Sequence, residues 1–159
     1  MSPEYNLNGK TAVVTGGSRG VGRHIARALH ASGAEVIITG RDMRTLRDSA
    51  NVLGERCHAI ACNQRDPDAV TSLATEVIEK WGGPDILVNN AGYMRSRPVA
   101  DLDLDAWNTV IETNLTGSFL MTKAFLPPMI RKNRGDIFFI SSMSGKKGDP
   151  GAGVYAASK

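Results

Sequence analysis

Cysteine is scarce in this chain, with two thiols, Cys57 and Cys62, among 159 residues. Two are too few for a disulfide framework or a cysteine-rich zinc site. An odd separation on an extended segment would point them to opposite faces of a strand. They are read as free, buried or half-buried thiols of a protein in a reducing cytoplasm. Histidine is nearly as rare, and His24, His30 and His58 lack ligand-like spacing. No metal site is expected, and the three are read as surface or packing residues. No run of 18 apolar residues occurs, so no helix should cross a membrane. The amino end, Met1-Ser2-Pro3-Glu4-Tyr5, lacks the charged-then-apolar layout of a secretory leader. Charge of one sign is barely in excess: 19 Lys+Arg oppose 16 Asp+Glu, a formal +3. The basic residues form no run, so a solvated mixed surface is expected rather than a nucleic-acid face. Internal repeats and low-complexity segments are also missing.

What is present is material for one core. With 42% hydrophobic residues at this length, a single domain is expected. Short β-branched runs alternate with longer amphipathic stretches. The expected strands are 11–15, 36–39, 57–61, 86–88 and 137–140. The expected helices are 20–32, 43–53, 66–81 and 104–132, with a terminal helical stub of about five residues carrying Tyr155 to Lys159. Gly33, Gly54 and Gly82-Gly83 read as helix stops, and Pro127-Pro128 should bend or break the long helix late. Strands that are almost wholly apolar, alternating with helices, imply a parallel sheet covered on both faces. The expected fold class is therefore α/β, a doubly wound parallel sheet (Rossmann fold). Ligands of such sheets bind at the carboxyl ends of the strands, where strand order reverses.

Every chemically suggestive motif falls at such an end. Thr15-Gly16-Gly17-Ser18-Arg19-Gly20-Val21-Gly22 joins the first strand to the first helix. Glycines let a backbone approach a bulky anion. The helix behind them offers free N–H groups and a positive dipole end to a pyrophosphate. A plain glycine-rich turn is the alternative. After the second strand comes Thr39-Gly40-Arg41-Asp42. An NAD-selective site usually has an acid there for the ribose 2′-OH. Arg41 with Arg19 instead suits a 2′-phosphate, favouring NADP over NAD. Asp42 either argues against this or caps the next helix. Asn89-Asn90-Ala91-Gly92 after the fourth strand would form a floor beside the cofactor, or is a simple turn. Ser141-Ser142 after the fifth strand could donate to a substrate carbonyl. Asn114 is unusual in a helix interior; it faces either the cleft, holding a water, or the surface. Finally, Tyr155 and Lys159 stand at i and i+4, on one helical face. An ammonium there favours the phenolate, and such a tyrosine can exchange a proton with a carbinol.

Together these residues resemble the short-chain dehydrogenase/reductase family, and its 3-oxoacyl-carrier-protein reductase-like members in particular. The glycine motif, Asn89-Asn-Ala-Gly92, Asn114, Ser142 and Tyr155-x-x-x-Lys159 match the family's motifs in order. The resemblance implies an oxidoreductase that interconverts a carbonyl and a secondary alcohol with NADP. It implies Tyr155 as general acid or base and Lys159 as the cation beside it and beside the nicotinamide ribose. Ser142 would polarise the carbonyl, and Asn114 would anchor a water in a proton relay. Gly16, Ser18, Arg19, Gly20, Val21 and Gly22 would cradle phosphates, and Arg41 the 2′-phosphate. Asn63 would lie by the adenine, where the family often has Asp, and Asn90, Ala91 and Gly92 by the ribose. Relatives commonly form homo-oligomers through the long helix. They also run longer, so residues 1–159 are expected to be one dinucleotide-binding domain, incomplete at its carboxyl end and truncated after the fifth strand. Such a chain is either an active reductase or a fragment that only binds nucleotide or a partner.

Overall fold

The computed structural model describes residues 5–159. The leader-free reading of the amino end falls largely on residues 1–4, outside the described residues. Five strands alternate with six α-helices: β1 (Thr11–Thr15), α1 (Gly20–Ala31), β2 (Glu35–Gly40), α2 (Met43–Leu53), β3 (Cys57–Ala61) and α3 (Pro67–Trp81) come first. Then follow β4 (Ile86–Asn89), α4 (Leu104–Ile111), α5 (Gly117–Arg131), β5 (Asp136–Phe139) and α6 (Gly153–Ala157). All strand pairs are parallel, in the order β3-β2-β1-β4-β5. The chain winds outward from β1 to β3, then crosses to the other side of β1 for β4. Strand order therefore reverses between β1 and β4, and a crevice opens at their carboxyl ends.

Side-chain alternation along the strands divides the core in two. Ala12, Val14, Val36, Ile38, Ile86 and Val88 meet Ala26 of α1 and Leu46 and Ala50 of α2 on one face. Val13, Ile37 and Leu87 meet Val70, Leu73 and Val77 of α3, and Met121, Phe125 and Met129 of α5, on the other. Burying each large apolar side chain contributes on the order of 1.5–3 kcal/mol. Cys57 belongs to the first core and Cys62 to the second, so the thiols do face opposite sides. Burial, with Glu35 near Cys57 and Asp66 near Cys62, pushes both thiols up to about 11. His58 packs on the Trp81 ring and pairs with Glu35, and His24 bonds the Gly20 carbonyl within α1.

The long helix departs from expectation. It is continuous through Pro127 and Pro128 to Arg131. Pro128 is buried against Gly83, where a Cβ would stand 3.0 Å from it, so packing offsets the lost helical hydrogen bonds. The irregularity lies earlier, where a π-helical turn, Glu112–Thr116, separates α4 from α5. β5 forms one edge of the sheet, and Phe138 and Phe139 are exposed there.

Candidate active site at the sheet's carboxyl edge

The glycine loop is held in place chiefly by Thr15, which sequence reasoning quoted but gave no role. Its hydroxyl accepts the N–H groups of Asn90 (3.0 Å) and Ala91 (2.8 Å). Asn90 answers by donating Nδ2 to the carbonyls of Thr15 (2.8 Å) and Gly16 (3.3 Å). The loops after β1 and β4 are thus stitched together across the point of reversal. Gly16 has φ +65°, and a Cβ there would meet the Ala91 Cα at 2.9 Å, so close approach and backbone twist both call for glycine. Ser18 is fixed from α2, whose Ser49 hydroxyl donates to its carbonyl at 2.7 Å.

The helix behind this loop is the one best suited to an anion. α2, α3 and α4 each begin with an aspartate whose carboxylate accepts first-turn N–H groups: Asp42, Asp66 and Asp103. α1 begins at Arg19 with no side-chain cap and no acid in its first turn. Arg19, Gly20 and Val21 are exposed there. Free N–H groups, a positive dipole end and a guanidinium converge at one exposed point. That donor set fits a dinucleotide pyrophosphate. Arg41, exposed at the end of β2, lies outside every ion pair of the described residues. Asp42 caps α2 instead, accepting from Arg44 (2.9 Å) and Thr45 (3.2 Å). Asn63 is exposed after β3, and its side chain accepts the Arg65 N–H at 3.3 Å.

On the other side of the crevice, Asn114 is buried, which removes the surface-facing alternative. Its Oδ1 accepts the Tyr93 N–H at 2.7 Å; its Nδ2 donates to the Tyr93 carbonyl (3.0 Å) and the Ser158 hydroxyl (2.8 Å). Both Nδ2 protons are used, and one Oδ1 lone pair is left for a water. The side chain is mainly a brace between the loop after β4 and α6. Ser158 completes it by donating to the Tyr155 carbonyl at 2.7 Å. Neither Ser158 nor Tyr93 was singled out from sequence, because their roles come from contacts distant along the chain.

Lys159 lies just beyond the end of α6 rather than on one of its faces, yet its Nζ stands 6.0 Å from the Tyr155 ring centroid. Both are half-buried. Burial pushes the Lys159 ammonium below the ordinary lysine range. Nζ donates to the Ile140 carbonyl at 2.8 Å, just past β5. Gly92 is the floor between Lys159 and Asn114: a Cβ there would stand 3.4 Å from Nζ and 3.6 Å from Oδ1. Ser142 is half-buried and accepts the Ser144 N–H at 3.2 Å, leaving its own proton to donate. The structure therefore gathers Gly92, Asn114, Tyr155 and Lys159 on one side, and Gly16 to Gly22 with Asn90 and Ala91 on the other. Arg41 and Asn63 end the flanking strands. No group of three or more His, Cys, Asp or Glu among the described residues is arranged to hold a metal, and no described helix is long and apolar enough to cross a membrane.

The family model for short chain dehydrogenases matches residues 10–159. The chain belongs to that family. A 3-oxoacyl-[acyl-carrier-protein] reductase of Vibrio cholerae is 38% identical over 154 residues, spanning 97% of this chain but 63% of that relative. A metagenomic short-chain oxidoreductase solved with NADP superposes with a TM-score of 0.92 at 39% identity, covering 96% of this chain and 71% of its own. A variant of actinorhodin polyketide ketoreductase solved with NADPH gives 0.91 at 36%, covering 94% and 59%. This family member thus spans under two thirds of the length of its first curated relatives.

Proposed function

We propose that this family member carries the dinucleotide site and reaction centre of an NADP-dependent oxidoreductase that interconverts a carbonyl and a secondary alcohol. The observation that carries the reading is the meeting of Gly92, Asn114 and the Tyr155–Lys159 pair beside an uncapped, glycine-led helix start. The α1 N–H groups and Arg19 bind the pyrophosphate, and Arg41 meets the 2′-phosphate. The exposed Arg41 guanidinium, outside every ion pair of the described residues, supports NADP over NAD; Asp42 caps α2 through Oδ1 alone. When bound, the reduced dinucleotide supplies the hydride.

The chain's own residues handle the proton. Tyr155 Oη gives its proton to the carbonyl oxygen, and the Lys159 ammonium stabilises the phenolate left behind. Ser142 donates a hydrogen bond to the same oxygen and keeps its proton, polarising the carbonyl. Asn114 holds the loop after β4 and α6 at a fixed separation, and its remaining lone pair anchors a water that returns a proton to Tyr155. The relatives' names make 3-oxoacyl thioesters the first substrates to try. Leu115, Phe119, Leu126 and Ile130 are exposed in and beyond the π turn; a second copy of the chain is the proposed partner. Two free, buried thiols suit a reducing cytoplasm.

The test is to mix the purified chain with NADPH and a panel of ketones and 3-oxoacyl thioesters, and to follow loss of the reduced cofactor. Turnover in the wild type and none in Tyr155→Phe, with cofactor affinity nearly equal, is expected. Turnover that survives in Tyr155→Phe assigns the acid elsewhere. A second reading, a fragment that binds cofactor without turnover, is favoured by the exposure of Phe138 and Phe139 on the edge strand. Binding of NADPH with no consumption by any carbonyl supports it.

A further inference from the structure

A π-helical turn, with i→i+5 hydrogen bonds, is rare and needs its surroundings to favour it over the α-helical register on either side. Asn114 sits within such a turn, Glu112–Thr116, and its aim depends on that turn staying open. The loop after β3 holds it. Gln64 is buried and donates Nε2 to the Thr113 carbonyl at 2.6 Å. Its neighbour Arg65 pairs with Glu112, donating Nε to the carboxylate at 2.9 Å. Gln64 can reach the turn only because residue 117 has no side chain. A Cβ on Gly117 would lie 2.7 Å from Gln64 Cγ and 2.8 Å from Nε2. Asn63 shapes the same loop, its carbonyl accepting the Asp66 N–H at 2.9 Å. One end of this connection is therefore at β3 and the other at the brace joining Tyr93, Asn114 and Ser158.

We propose that Gln64 is a positioning residue that keeps the 112–116 turn in its π form and so aims the Asn114 side chain, with Gly117 providing the space it needs. Its consequence for turnover rests on the oxidoreductase reading; its consequence for the turn does not. Loss of the donor at Gln64 lets the turn tighten toward an α-helical register, and Asn114 then releases the Tyr93 N–H. Gln64→Met keeps the side chain's length and removes the donor. Gly117→Ala keeps the donor and removes its space.

The experiment measures amide hydrogen exchange of Tyr93 and Leu87, and affinity for 2′,5′-ADP, in the wild type and both variants. Tyr93 exchanging roughly tenfold faster in both, with Leu87 and 2′,5′-ADP affinity unchanged, is expected. Tyr93 protection equal to wild type in Gln64→Met overturns the proposal. So does equal acceleration of Leu87, which means general loosening, and so does weakened 2′,5′-ADP binding, which places Gln64 in the adenine site. If one variant does not fold, the other decides. In the turnover assay kcat should fall while KM for NADPH holds. A wild type without turnover defeats the oxidoreductase reading and leaves the exchange result to judge Gln64.

Discussion

Alanine at Gly22 sets helix propensity against space. Gly22 lies in the first turn of α1 and is not among the glycines of positive φ. Alanine should therefore favour the helix by about 1 kcal/mol. Its Cβ, however, would stand 2.4 Å from Asn90 Nδ2 and 2.4 Å from the Gly16 carbonyl oxygen. Asn90 Nδ2 would have to give up one of its two donations, to Thr15 or to Gly16, and the Gly16 carbonyl would have to move. Overpacking costs about 1–3 kcal/mol, and the lost hydrogen bond about 0.5–1.5. After the propensity gain, about 2 kcal/mol remains against the native loop, or roughly 30-fold in NADPH affinity. Gly20 is the control, with φ +55° and nothing within 4 Å of an added Cβ, so alanine there meets strain but no neighbour. Fluorescence titration with NADPH in a double-mutant cycle distinguishes the two. In an Asn90→Ala background Gly22→Ala should cost less, and Gly20→Ala should cost the same. Wild-type affinity in Gly22→Ala, or no coupling to Asn90, would refute the reasoning.

Other consequences are equally direct. Arg41→Asp should move preference toward NADH by roughly 10- to 100-fold, the worth of a charge-assisted hydrogen bond; an unchanged preference in paired NADPH and NADH titrations removes Arg41 from the site. Cys57 and Cys62, raised to about 11 by burial and a nearby carboxylate each, should resist alkylation at pH 8 in the folded chain and react on unfolding. Mass spectrometry showing rapid labelling of the native protein would contradict their placement. Asp85 is pushed up by burial, but the Thr11 N–H and the cations of Lys132, Arg134 and Lys10 outweigh this and hold it below the usual range. Its folded value is depressed, so its stabilisation is full above about pH 4 and is lost as pH falls through the folded value. Asp85→Asn should be less stable than wild type by about 1–3 kcal/mol near neutrality, with the gap narrowing in acid; urea melts showing a constant gap would disprove the linkage.

Local pattern carried most of the element order. All five strands and the first three expected helices lie where apolar periodicity placed them, to within a residue or two at their ends, whereas the expected long helix is divided by a π turn into α4 and α5. Asp42 was open as cap or as ribose acceptor, and its two first-turn hydrogen bonds, both to Oδ1, establish the cap. The prolines do not break α5: their penalty is local, whereas the packing of Pro128 on Gly83 that offsets it is not. The motif residues were legible because glycine, asparagine and tyrosine at fixed spacing carry their chemistry in the residue type. Gln64, Thr15, Tyr93 and Ser158 were not, being polar residues whose partners lie elsewhere in the chain.

By itself, then, the order of residues determined an alternating α/β chain, two thiols on opposite faces, and a set of reactive groups at strand ends. Those follow from periods of two and 3.6, which need only neighbours in the chain. The tertiary structure alone decided that β4 crosses to the far side of β1, and hence that Asn90 meets Thr15. It alone decided that Asn114 is buried in a π turn, and that Gln64 donates to the carbonyl of Thr113 in that turn, 49 residues along the chain. Contacts across such distances form only when separate elements pack, so no local pattern encodes them.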